Sequence, residues 1–173
     1  PGTGVAPMRA LLQERQALDQ MKALYANDHG NVQETPSTVL FFGCRKQKKD
    51  FLFSSEWTSL PKLSIDDPNN HDPECYSDGN TQISMAFSQD GGLMEAKTYV
   101  MSKMRLHAAL LWRMISQGAY IFIAGSAKRM PIDVRKCFEG IIMNEGGMDA
   151  GAADKYLKMM ERQNRYVVEA WSS

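Results

Sequence analysis

Neither sign of charge dominates this chain, in which 20 lysines and arginines are set against 20 aspartates and glutamates. Without an overall field there is no general attraction for nucleic acid or for a membrane surface, so any anion site must be local. Cysteine is scarce too. Cys44, Cys75 and Cys137 are odd in number, widely spaced and without a CxxC pair, which argues against a disulfide framework or a zinc site and points to a reducing compartment. His29, His71 and His107 show no metal-ligand spacing, and no metal role is assigned. There is no apolar run of membrane-spanning length, no signal-peptide pattern, no internal repeat and no low-complexity tract. What remains is an ordinary globular composition: 173 residues, 43% hydrophobic, enough for one domain with a sizeable core.

The most informative stretch that is present is Pro1-Gly2-Thr3-Gly4-Val5-Ala6-Pro7-Met8-Arg9. Glycine lacks a Cβ, so the backbone can turn tightly and come close to a ligand, and the N–H groups opening the following helix then face an anion. A loop of this kind normally follows a buried parallel strand. No residue here precedes Pro1, so the expectation is a piece of a longer chain, lacking its first central strand by truncation. No Lys-Ser or Lys-Thr follows the glycines, which argues against a P-loop phosphotransferase.

Residues 6–26 carry Leu11, Leu12, Leu18, Met21, Leu24 and Tyr25 at helical spacing, with Pro7 in the first turn where its missing N–H costs nothing. A turn at 27–31 ends that helix. Thr38 to Gly43 is a short apolar run suited to a strand buried on both faces. A short helix is expected between Asp50 and Leu60, and 64–80, rich in Asp, Asn and Pro, reads as an irregular surface excursion. Thr81 to Phe87 is a second strand, 88–92 a loop, 95–117 one long helix, and Ala119 to Ala124 a third strand. Helices follow at 130–144 and 152–163, and Arg165 to Trp171 forms the last strand. Strands alternating with helices predict a doubly wound α/β domain with a mostly parallel, Rossmann-like sheet over 1–173.

PGTGVAPMR at 1–9, FFGCR at 41–45, KTYV at 97–100, AGSAKRMPIDV at 124–134 and EAWSS at 169–173 together resemble the NADPH-binding subdomain of the ferredoxin-NADP reductase superfamily. More narrowly they resemble the diflavin reductases. The resemblance covers nearly the whole chain in order, apart from 64–80. Alanine at 124 and the form of the 124–134 segment are most similar to the branch that serves cytosolic iron–sulfur cluster assembly. Cytochrome P450 reductase and methionine synthase reductase types are the alternatives within the group. The resemblance implies that NADPH passes a hydride to FAD, after which electrons leave singly through FMN to a protein acceptor. FAD- and FMN-binding domains would belong to the same parent chain, and this part alone would be inactive. It implies a cytoplasmic protein, with no nucleic-acid partner and no membrane segment in this chain.

The family's roles fall on particular residues. Thr3, with the amides of Gly2 and Gly4, would contact the pyrophosphate, and Arg45 would join the cofactor site. Ser88 and Gln89 stand where the family has Ser-Arg, the pair that holds the adenosine 2′-phosphate. Lys97, Tyr99 and Met101 match Lys-x-Tyr-x-Gln. Gln89 replaces a cation that pairs bidentately with phosphate, and Met101 replaces an amide donor, so weaker discrimination between NADPH and NADH is expected. Asp133, with Met130 nearby, matches a position beside the nicotinamide ribose or diphosphate. Trp171 would cover the flavin and swing away for nicotinamide. Glu169 and Cys44 would lie at the hydride-transfer site as the catalytic pair. Read without the resemblance, Cys44 is a small buried hydrophobe, Trp171 a plug at a sheet end, and Lys97 a solvated lysine. A nucleotide-binding regulatory module without hydride transfer is the reading from a different class.

Overall fold

The computed structural model describes residues 4–25, 38–67, 70–90 and 97–171, with side chains from 22 to 25 left aside. Gly2 and Thr3, the 27–31 turn, the Leu24 and Tyr25 side chains and Gly91-Gly92 therefore lie outside the described residues. Helix α1 spans Val5–Tyr25 and strand β1 Thr38–Cys44. Two helical turns follow, α2 at Gln47–Asp50 and α3 at Ser54–Trp57. Then come β2 (Cys75–Ser77), β3 (Thr81–Phe87), α4 (Val100–Leu106), α5 (Ala108–Ser116) and β4 (Ile121–Ser126). Helices α6 (Met130–Gly146) and α7 (Ala150–Arg162) precede β5 (Tyr166–Trp171).

The alternation of strand and helix gives the parallel pairings it predicts. β1 runs parallel to β3 in register from Thr38↔Thr81 to Cys44↔Phe87, and β4 parallel to β5 from Ile121↔Tyr166 to Ser126↔Trp171. The strands lie in two sheets among the described residues, ordered β1-β3-β2 and β4-β5. Helix α1 bridges them: Val5 and Leu12 are buried in the core with Leu40, Phe42, Cys44, Ile83 and Met85, while Gly4 lies against β4.

Three expectations need correction. The single helix at 50–60 is two short turns, because Phe53 between them adopts a left-handed backbone (φ 57°). Its ring stands edge-on to Trp57 and under the Arg9 guanidinium, 4.6 Å from the ring centroid. The long helix at 95–117 starts at Val100 and is divided at His107 (φ −108°, ψ 25°), whose N–H reaches both Lys103 and Met104 carbonyls. The 64–80 excursion is not wholly a surface feature. It contributes β2, antiparallel to β3, and buries Asn70, Asp72 and Cys75.

The second core lies under β4–β5. Helix α7 presents Ala153, Leu157 and Met160 on one face, all fully buried, as the i, i+4, i+7 spacing requires. Asp149 caps it, accepting from the Ala152 N–H at 2.8 Å. Helix α6 adds Val134, Cys137, Phe138, Ile141 and Ile142 and ends on Gly147 at φ 63°, the conformation that favours glycine in a helix C-cap. Arg135 joins α6 to α7 through Asp154 at 3.0 Å and through Glu161. Ile142, fully buried, has no room to be shortened without a void. Ile142→Ala is expected to lower stability by about 2–5 kcal/mol and the exposed Met143→Ala by under about 0.5 kcal/mol, read from urea midpoints.

Candidate functional site

Of the described residues singled out by the sequence, Cys44, Arg45, Ser88, Gln89 and Trp171 lie at or just beyond the C-terminal ends of parallel strands, where open α/β sheets bind ligands. On the β4–β5 side, an added Cβ at Gly4 would lie 2.5 Å from the Ala124 carbonyl oxygen. Only glycine lets the start of α1 come this close to the strand. Glu169 is opposite Ala124 and Trp171 opposite Ser126 in the β4–β5 register, and the Ala127 N–H donates to the Trp171 carbonyl at 2.9 Å. Trp171 is 37% exposed, so it does not plug a core. Asp133 sits in the first turn of α6.

On the β1–β3 side the two strand ends are stitched together. Ser88 N–H donates to the Cys44 carbonyl at 3.0 Å, Gln89 N–H to the Arg45 carbonyl at 2.8 Å, and Gln47 N–H to Asp90 Oδ2 at 2.6 Å. The Ser88 hydroxyl also reaches the Cys44 carbonyl at 3.4 Å. An added Cβ at Gly43 would touch Val100 at 3.5 Å, which brings the start of α4, with Tyr99 just before it, to the end of β1. Tyr99 is 47% exposed, and Arg45 and Lys97 are exposed as well. Met101 and Met130 instead pack on the second core, and the Met101 carbonyl accepts from Cys137 Sγ at 3.6 Å.

Cys44 is buried, its Sγ donating to the Lys46 carbonyl at 3.8 Å. Burial first, then the Asp50 and Asp90 carboxylates, push the thiol up to about 11. A thiol so held stays neutral at physiological pH and is no nucleophile. In a thiol-reagent assay, Cys44 is expected to react slowly at pH 8 and to become reactive as the pH approaches 11 or on unfolding. Rapid labelling of Cys44 in the folded protein at pH 8 would contradict this.

Sequence reading passed over a second polar cluster, set between the excursion, β3 and α4. Asp72, fully buried, accepts from Ser84 Oγ, from Lys103 Nζ, from His107 Nε2 at 3.2 Å and from the Glu74 N–H at 3.0 Å. Gln82 Nε2 lies 3.2 Å from His107 Nδ1; as the amide donor there, it leaves Nε2–H for Asp72. Burial alone would raise the Asp72 carboxyl, but the hydrogen bonds from His107, Lys103, Ser84 and the Glu74 backbone outweigh it and hold it well below the usual carboxylate range. Asp72, Cys75 and His107 offer ligand atoms within 4.8 Å of one another. The Lys103 ammonium already holds the cation's place, and no metal role is assigned. A signal was available: β3 is buried on both faces yet carries Gln82 and Ser84, and Lys103 and His107 stand four apart on the helical segment above it.

A depressed carboxyl stabilises the folded state above the unfolded carboxylate range, and that stability is lost as the pH falls through the folded value. Acid titration of the wild type should therefore show progressive loss below about pH 4. Asp72→Asn should lose about 3–5 kcal/mol at pH 7, because it leaves Lys103 buried without a counter-charge, and should show a flatter acid limb in urea unfolding followed by circular dichroism.

The family described as "Oxidoreductase NAD-binding domain" matches residues 1–136. The chain belongs to this family. Among the relatives of this oxidoreductase NAD-binding domain is "NADPH-dependent diflavin oxidoreductase 1" of Xenopus laevis, 37% identical over 173 residues, covering 99% of this chain and 23% of that protein. "NADPH--cytochrome P450 reductase" of Musca domestica is 34% identical over 173 residues, 99% of this chain and 22% of that protein. The "Sulfite reductase [NADPH] flavoprotein alpha-component" of Cronobacter sakazakii is 34% identical over 166 residues, 96% of this chain and 22% of that protein. The chain thus spans less than a quarter of the length of these relatives. Among the described residues no helix is long and apolar enough to cross a membrane.

Proposed function

We propose that this NAD-binding domain holds NADPH and presents its nicotinamide to FAD in a longer diflavin reductase, from which electrons pass through FMN to a protein acceptor. The observation that carries the reading is that α1 packs by Gly4 on the β4–β5 ladder that carries Glu169 and Trp171 and by Val5 in the core of the sheet whose strand ends carry Cys44 and Ser88. The names of the relatives, all NADPH-dependent or flavin-containing reductases, support the same reading. These residues fit a dinucleotide. The close approach at Gly4 sets the N-terminal turn of α1, whose N–H groups can face a pyrophosphate, against β4, the exposed Tyr99 ring offers a face for adenine, and exposed Arg45 and Lys97 offer cations for phosphate.

When bound, the nicotinamide supplies the hydride that reduces the flavin. The chain's own residues position and desolvate it. Cys44, neutral and buried, gives an apolar wall without charge beside the reacting ring. Trp171, at the end of β5 and partly exposed, would lie over a flavin from an adjoining domain and move aside for the nicotinamide. Glu169, exposed on the same strand, is the carboxylate this reading assigns to the hydride-transfer site. Ser88 supplies a hydroxyl at the end of β3 for the adenosine phosphate, and Asp133 a carboxylate in the first turn of α6 for the nicotinamide ribose or diphosphate. The parent is cytoplasmic in this reading and its acceptor a protein of iron–sulfur cluster assembly, a choice that rests on the resemblance of Ala124 and the 124–134 segment.

Stopped-flow reduction of the flavin in the intact protein tests this. NADPH should bleach the flavin in a fast first phase, and Glu169→Gln should slow that phase at least about tenfold, roughly 1.4 kcal/mol of barrier, with nucleotide affinity unchanged. A flavin that NADPH does not reduce would sink the reading.

A further inference from the structure

Gln89 stands where the resemblance expects a cation for the 2′-phosphate, and the hydrogen bonds of the β1–β3 loop pair show where others are available. The backbone of Gln89 is bound to the carbonyl of Arg45, which opens the segment Arg45-Lys46-Gln47-Lys48-Lys49-Asp50. All four cations of that segment are exposed. None makes an ion pair among the described residues, as is true of several other surface cations, but here four of them stand within five residues. The carboxylates nearby are engaged by backbone: Asp50 Oδ2 accepts the Lys46 N–H at 3.2 Å and Asp90 Oδ2 the Gln47 N–H at 2.6 Å. They fix the loop and, among the described residues, leave the lysine heads without an ion pair. With four cations against two carboxylates the strand end is locally positive in a chain of zero net charge.

We propose that Lys46, Lys48 and Lys49 read the 2′-phosphate of the cofactor, in place of a cation at position 89. The proposal rests on the NADPH reading and deepens it by naming what sets coenzyme choice; it also reverses the sequence-based expectation of weak discrimination. A phosphate monoester carries close to two negative charges, and plain ADP lacks that group. Lysine ammonium groups on a fixed loop meet such a group as point charges, without the bidentate geometry of arginine. Discrimination built this way is electrostatic and solvent-exposed, so it weakens as salt is raised.

Calorimetric titration of the intact protein with 2′-phospho-ADP and with ADP, at low and at physiological ionic strength, tests this. The wild type should prefer 2′-phospho-ADP by more than about tenfold at low salt, and less at high salt. K46Q/K48Q/K49Q should bring the ratio below about threefold while ADP affinity stays within about twofold. Adding Q89R to the triple variant should restore the preference. A triple variant that keeps the wild-type ratio, or that loses affinity for both nucleotides equally, would overturn the proposal while the NADPH reading stands. A wild type that binds both alike would overturn it too. A wild type that binds neither would overturn the NADPH reading and the proposal with it.

Discussion

The contact between Gly4 and the Ala124 carbonyl sets the geometry on which everything else at the strand ends depends. A side chain at position 4 would sit 2.5 Å from that oxygen, so any other residue would push α1 away from β4. The same helix, one residue later, buries Val5 in the core of the other sheet beside Leu40, Phe42 and Cys44. One turn of α1 is therefore held from both sides, by backbone approach to β4 and by apolar burial toward β1. That turn fixes the separation of the two groups of site residues, Glu169 and Trp171 on one side, Cys44 and Ser88 on the other. The bidentate pair of Arg9 with Glu56, at 2.6 and 2.8 Å, ties the next turn to α3.

A second constraint acts behind the site. Asp72 reaches from the excursion to Ser84 in the middle of β3, to Lys103 within α4 and to His107 at the junction of α4 and α5. Burial of charge is costly unless every group finds partners, and here they do. The polar excursion is thereby more than a surface ornament, because it locks α4 onto the sheet that carries Ser88. The cluster holds lysine, carboxylate and imidazole in one closed set of hydrogen bonds, so its chemistry is spent on structure.

Where apolar periodicity and turn residues agreed, the sequence was legible. Strands β1, β3, β4 and β5 and helices α1, α6 and α7 lie within about two residues of their expected limits. The misreadings share one cause, which is long-range contact overriding local pattern. Helix 95–117 is divided at His107 because that side chain is held by Asp72, thirty-five residues away in sequence. The short helix near 55 is split at Phe53, whose left-handed backbone accompanies ring contacts with Arg9 and Trp57. Residues 64–80 look solvent-borne by composition, yet Asn70 and Asp72 pack inward as hydrogen-bonding groups, which hydropathy does not register. At the site, the motif residues came out of the sequence, while the stitching of loop 44–50 to loop 88–90 did not. Backbone hydrogen bonds carry no side-chain signature.

The central claim is that the strand ends around α1 form one dinucleotide site shared between the two sheets. A crystal structure of the intact protein with NADP+ tests it most directly. The account predicts the pyrophosphate at the start of α1 beside Gly4, the adenosine between Tyr99 and the 45–49 and 88–90 loops, and the nicotinamide directed toward Cys44, Glu169 and Trp171. Density for the cofactor on any other face of the domain, or across the excursion, would contradict it.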